Sequence, residues 1–102
     1  MWTTDEALRL IRVMQPEVMA AGYYLALAGG VLNNGYSDND LDLVAVPRTE
    51  DSNHMKLIIT VLPKLLGGDV TEISNVACAK VMSFKLSDTR KVDISIITPR
   101  KE

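Results

Sequence analysis

Residues 40–46 read Asp-Leu-Asp-Leu-Val-Ala-Val and stop at Pro47, so acidic and aliphatic side chains alternate along one short run. Successive side chains of an extended strand point to opposite faces, and strict alternation is the signature of a strand with one buried face. This spacing therefore sets Asp40 and Asp42 on one face and Leu41, Leu43 and Ala45 on the other. Two neighbouring carboxylates repel, and the pair costs stability unless a cation or a shared proton relieves it. The aliphatic face calls for a core, while the acidic face calls for a use.

The rest of the chain supplies that core. Thr3 with Glu6 three residues later is a capping box, and Ala7, Leu8, Leu10, Ile11 and Met14 follow as an apolar face at helical spacing. Pro16 either kinks that helix or opens a second turn, Pro16–Ala21, closed by Gly22. Tyr23–Ala28 reads as a buried strand, and Gly29–Asn39, rich in Gly, Asn, Ser and Asp, as a loop or irregular turn. Met55, Ile58, Ile59, Leu62, Leu65 and Leu66 form a second helical stripe that stops at Gly67 and Gly68, with Pro63 weakening its last turn. Val70–Ser74, Ala79–Leu86 and Lys91–Ile97 are strands, the last two a hairpin across Ser87-Asp88-Thr89-Arg90. The order α-β-loop-β-α-β-β-β predicts an α+β (mixed α/β) architecture: a mixed sheet of about five strands with helices on one face.

No repeat or linker divides the 102 residues, so the expectation is one domain over residues 1–102. With 47% hydrophobic and 24% charged residues the chain is not intrinsically disordered, and a net charge of −2 argues against a densely basic nucleic-acid binder. Asp5, Glu6, Arg9 and Arg12 break any secretory leader pattern. The uncharged stretch Val18–Ser37 is interrupted by Gly22, Gly29, Gly30, Asn33, Asn34 and Gly35, whereas a membrane span needs about 20 mostly apolar residues. No membrane association is expected. The single cysteine, Cys78, reads as a buried structural thiol in a reducing compartment. A cytoplasmic location follows from these features together.

A third carboxylate, Asp93, lies in Lys91-Val92-Asp93-Ile94, with Val92 and Ile94 alternating to the opposite face. If its strand pairs near residues 40–46, three carboxylates converge, the number that two-metal phosphoryl or nucleotidyl transfer uses. Hard cations such as Mg²⁺ prefer carboxylate oxygens and leave positions open for substrate phosphates. Gly29-Gly30, directly after a strand, lets backbone N–H groups approach phosphate oxygens closely, although the Walker pattern GxxxxGK(S/T) is absent. Plainer readings compete. Asp38–Asp42 begins like an EF-hand loop, but its sixth and twelfth positions hold Leu43 and Thr49 instead of Gly and Glu. Asn34-Gly35 suits a type I′ hairpin turn. His54 has no metal-ligand company and reads as a surface residue, and Tyr36 suits either base stacking or packing.

Taken together, Gly29-Gly30, Asp40-Leu41-Asp42-Leu43 and Asp93 resemble the nucleotidyltransferase superfamily of the DNA polymerase beta type, over roughly Tyr23 to Ile97. The pattern is similar both to minimal nucleotidyltransferases and to the head of tRNA nucleotidyltransferases. The resemblance implies a nucleotidyltransferase fold that binds a nucleoside triphosphate with Mg²⁺ (or Mn²⁺). It implies transfer of a nucleoside monophosphate to a hydroxyl on a protein, an RNA end or a small molecule. By the same resemblance Gly29 and Gly30 contact the triphosphate, Asp40 and Asp42 bind metal, and Asp93 binds the catalytic metal and helps activate the acceptor. Many members carry serine where Gly30 stands, and Ser37 is the candidate replacement for that phosphate contact. Active members usually append a domain that reads the acceptor, and this sequence ends at Glu102. The expectation is therefore a protein partner or a second copy in that role. The principal rival is a non-enzymatic, antitoxin-like or regulatory binding module of the same fold, and a generic α+β interaction domain with solvated acids is the third reading.

Overall fold

Thr3 caps the first helix as its sequence requires: its side chain accepts from the Glu6 backbone N–H, and the Glu6 carboxylate accepts from the Thr3 backbone N–H. The computed structural model describes residues 1–49, 53–67, 69–76 and 79–98. In chain order the elements are β1 (Trp2–Thr3), α1 (Thr4–Ala20), β2 (Tyr23–Ala28), α2 (Gly29–Asn34), β3 (Tyr36–Ser37), β4 (Asp40–Pro47), α3 (Asn53–Leu66), β5 (Asp69–Val76), β6 (Ala79–Ser87) and β7 (Arg90–Ile97). Pro16 does not divide α1. The carbonyl that loses its partner belongs to Arg12, and both residues lie on the exposed side, where that carbonyl is open to solvent. Gly22, at φ +90°, ends the segment in a left-handed turn that a side chain would resist.

Five strands form one mixed sheet in the order β2-β4-β7-β6-β5. The pair β4–β7 is parallel, and every other neighbouring pair is antiparallel. The chain thus inserts its last strand, β7, into the middle of the sheet. Register aligns Leu41 with Val92, Leu43 with Ile94 and Ala45 with Ile96. All six are buried, together with Tyr23 and Leu25 of β2 and Met82 and Phe84 of β6. Onto this one face pack Ala7, Ile11, Met14 and Val18 of α1 and Ile58 and Leu62 of α3. Leu8, expected in the apolar stripe of α1, is exposed. Among the described residues neither α1 nor α3 packs on the opposite face of the sheet, and the start of α2 lies beside Asp42 at one end of it.

Three expectations need correction. Gly29–Asn39 is not a plain loop: its first part is the helical turn α2, and Tyr36–Ser37 pairs antiparallel with Trp2–Thr3. Asn34-Gly35 is not a hairpin turn, because Gly35 (φ +83°) is the left-handed cap of α2 and its N–H bonds the Val31 carbonyl at 2.9 Å. Strand β2 lies at an edge and is buried on alternate residues only, with Tyr24 and Ala26 exposed. Gly68 and Cys78 lie outside the described residues. Among the described residues no helix is long and apolar enough to cross a membrane.

Leu43 sits at the centre of the buried row, 1% exposed. Leu43→Ala is expected to cost about 2–5 kcal/mol, through lost transfer energy and a residual cavity. Val13→Ala, on the exposed side of α1, should stay within about 0.5 kcal/mol of the parent. Urea unfolding of both variants checks the assignment, and equal losses would contradict the packing described.

Candidate functional site

The same register that buries the aliphatic row brings the aspartates together on the other face. Across the β4–β7 ladder Asp42 lies directly opposite Asp93, and Asp40 opposite Lys91. Ala28 of β2 flanks Asp42 on one side, and Ser83 of β6 flanks Asp93 on the other. Asp42 and Asp93 are half-buried, whereas Asp40 is exposed. Asn39 holds this end of the sheet in place. Its carbonyl accepts from the Lys91 backbone N–H at 2.9 Å and from the Trp2 indole N–H at 3.1 Å. Arg90 stacks over the Trp2 ring at 4.4 Å and donates to the Glu6 carboxylate at 2.6 Å. That guanidinium is the main reason the Glu6 carboxyl titrates below its ordinary range.

Asp42 has no such relief. Burial raises its carboxyl pKa above the ordinary value, the charges of Asp93 and then Asp40 push it in the same direction, and a hydrogen bond from the Gly30 backbone N–H works against them. Among the described residues no Lys, Arg or His pairs with any of the three carboxylates. Gly29 takes a left-handed φ of +63° directly beneath Asp42. A Cβ built there would overlap the Asp42 carboxylate, 2.7 Å from both its Cβ and its Cγ. The two glycines expected at a triphosphate thus meet a protein carboxylate first: one makes room for it and the backbone N–H of the other favours its charged form. What would have revealed this is the pairing of β2 with β4, which sets Ala28 beside Asp42 and brings the next residue against its side chain. Ser37 stands next to Gly30, its Oγ 3.8 Å from where a Gly30 side chain would begin.

Asp40, Asp42, Asp93, Gly29, Gly30 and Ser37 therefore occupy one end of the open sheet face. Donor chemistry suits a hard cation, since all three side chains offer carboxylate oxygens. Among the described residues, however, no three His, Cys, Asp or Glu side chains are gathered closely enough to hold a metal ion. The EF-hand reading is overturned, because its loop positions fall within strand β4. His54 is half-buried at the surface. It packs against Gly22, with Nδ1 2.9 Å from the Thr49 hydroxyl. Tyr36 is exposed. Compared with protein-family models, curated proteins and solved structures, the chain matches none.

The raised Asp42 pKa fixes the sign of a pH dependence. The folded state holds that proton more tightly than the unfolded chain, so the contribution to stability is full below about 3.9 and is lost as pH rises through the raised value. Asp42→Asn should therefore melt at or above the parent temperature at neutral pH, with the difference closing toward pH 3 (roughly the lower limit set by the unfolded value). Asp88→Asn, at the exposed hairpin turn, should track the parent throughout. A neutral-pH loss of stability in Asp42→Asn would contradict the electrostatics described. Gly29→Ala should cost about 1–3 kcal/mol from the left-handed backbone alone, plus the overlap with Asp42. In a double-mutant cycle, adding Asp42→Ala should recover only the part of the overlap made by the carboxyl group, because the Cβ of residue 42, 2.7 Å from the added side chain, stays.

Proposed function

We propose that this chain has a nucleotidyltransferase fold and binds a nucleoside triphosphate with Mg²⁺ (or Mn²⁺) over the open face of β4 and β7. There it transfers a nucleoside monophosphate to a hydroxyl acceptor in the cytoplasm. The observation that carries this reading is Asp42 facing Asp93 across a parallel ladder, half-buried and unrelieved by any described cation. A protein that holds two carboxylates in that position spends stability on them, which makes sense if an outside charge completes the site. Bound Mg²⁺ would supply that charge, neutralising phosphate oxygens and the leaving group.

The roles of the chain's own residues follow. Asp40 and Asp42 would hold the cation, with Asp93 on the same face of the sheet. Asp93 accepts the proton of the attacking hydroxyl. That oxygen forms a bond to the α-phosphorus, the bridging P–O bond to the β-phosphate breaks, and pyrophosphate leaves. Gly29 and Gly30 keep the approach free of side chains, and Ser37 offers its hydroxyl to a phosphate oxygen. Acceptor recognition, whether of a protein, an RNA end or a small molecule, falls to a protein partner or a second copy lying over the open face.

One observation favours a second reading, a regulatory, antitoxin-like module of the same fold that occupies a partner without catalysis. The Gly30 N–H acts on Asp42, and among the described residues no three-ligand group is assembled. Incubation with α-labelled ATP, CTP, GTP or UTP and Mg²⁺ or Mn²⁺, with and without cell extract, separates the two. The enzyme reading expects label on a protein, RNA or small molecule. It also expects Asp42→Asn and Asp93→Asn each to reduce labelling at least about 100-fold, as loss of several kcal/mol of charge stabilisation requires. Asp42-dependent thermal stabilisation by nucleotide and Mg²⁺ without label transfer would identify the binding module. Neither response would end both readings.

A further inference from the structure

The open face of the sheet has an order of its own. One row across it, Ala26, Val44, Ser95, Val81 and Ser74, takes one residue from each of the five strands. Two residues further along each strand, away from the aspartates, the next row holds Tyr24, Val46, Ile97, Ala79 and Val76. Neither row contains a charge. Tyr24, Val46 and Val76 are 43%, 40% and 58% exposed, so an apolar band spans the width of the sheet, and neither α1 nor α3 covers it. The row of Asp42, Asp93 and Glu72 borders the band on one side. On the other side stands Arg48, two residues past Val46 and over the Tyr24 ring at 5.2 Å. Its guanidinium donates to the Met19 carbonyl at 2.9 Å and pairs with no carboxylate among the described residues. A contiguous exposed apolar band rimmed by charge marks an interaction surface.

We propose that this band is a self-association surface, on which a second copy of the chain packs face to face with its strands running opposite to those of the first. Sheets stacked in this way lie about 10 Å apart, with strand directions within about 30° of one another. The two-fold axis lies between the sheets, across the strands and midway between the two apolar rows. The occupant is a second copy because this arrangement matches the face to itself in both size and charge. Each residue of one row faces its neighbour of the other row on the same strand of the second copy. Tyr24 meets Ala26, Ile97 meets Ser95 and Val76 meets Ser74, in each case a large side chain on a small one. Val81 meets Ala79, and Val46 meets Val44. One step outward along β4, Asp42 of each copy faces Arg48 of the other, so the cation that Asp42 lacks within its own chain comes from the second copy. A two-fold axis along the strands would instead set acidic row on acidic row. The contact is isologous and closes at a dimer. The start of α2, beside Asp42, lies past both apolar rows, at the rim. This inference does not rest on the nucleotide chemistry assigned to the carboxylates.

Sedimentation equilibrium of the intact chain from micromolar to millimolar concentration, without nucleotide or metal, tests it. The mass should rise with concentration from 11.2 kDa toward twice that value. Val46→Lys, which sets a charge within the band, should weaken the dimer at least about 10-fold. Ile73→Lys, exposed on the helix-bearing side of the edge strand β5, should dimerise like the parent. Exchanging charges tests the pairing across the axis: Asp42→Arg and Arg48→Asp should each weaken the dimer, and the two together should restore it. On the unmodified chain, amide resonances of Tyr24, Val44, Val46, Val81 and Ile97 should shift as concentration rises, and those around Val13 should not. A parent chain that stays monomeric throughout would overturn the proposal. So would a dimer abolished by Ile73→Lys but not by Val46→Lys, resonance shifts that spare the open face, or a double charge exchange no tighter than either single one.

Discussion

The parallel ladder between β4 and β7 is the interaction on which the remaining structure depends. Leu41, Leu43 and Ala45 meet Val92, Ile94 and Ile96 on one face of these two central strands, and none of the six is more than 1% exposed. A slip of either strand by one residue would turn its aliphatic side chains to the open face and its aspartates into the core. The cost of that exchange is far larger than the repulsion between Asp42 and Asp93. The core therefore dictates the register, and the carboxylate pair is its by-product on the other side. Asn39, with its carbonyl shared between Lys91 and Trp2, pins the same register at the end of the ladder.

Two treatments of negative charge stand side by side at this end of the fold. Glu6 closes the capping box of α1 and receives the guanidinium of Arg90, which in turn rests on Trp2. Each charge there has its counterpart, and the arrangement strengthens the join between helix and sheet. Asp42 receives one backbone N–H and two like charges. Lys91 lies beside Asp40 in the ladder but pairs with none of the carboxylates among the described residues. The contrast locates where the chain has invested in stability and where it has left charge available.

Much of this was legible in the sequence because it rests on local periodicity. The alternation in residues 40–46 and 91–97 gave strands and faces, Thr3 with Glu6 gave the start of α1, and Ser87–Arg90 gave the last hairpin. Features held by contacts distant in sequence were less accessible. No propensity argues for a helix in Gly-Gly-Val-Leu-Asn-Asn, and α2 exists because Val31 is buried and Gly35 turns left-handed. The two-residue ladder of Trp2–Thr3 with Tyr36–Ser37 is too short to leave a pattern. That Asp93 lies near Asp42 followed only conditionally, since strands fifty residues apart reveal a common face but not their pairing. The approach of Gly29 and Gly30 to Asp42 was invisible for the same reason: it needs the β2–β4 register, not the glycines alone.

The position of β7 has a consequence for the order of events in folding. It is the last described strand in the chain and the third of five in the sheet. Until it is available, β2–β4 and β5–β6 are two separate ribbons, each with an inner edge unpaired and an apolar face incompletely covered. Both ribbons must wait through a long sequence separation before a single segment joins them, a topology that slows folding relative to one built from neighbours. During synthesis the amino-terminal ribbon emerges first and stays unfinished until residues 90–97 follow. Asp93 travels on that segment. The acidic end is therefore assembled in the same step that completes the sheet, and a partly folded chain would display Asp40 and Asp42 without their third companion.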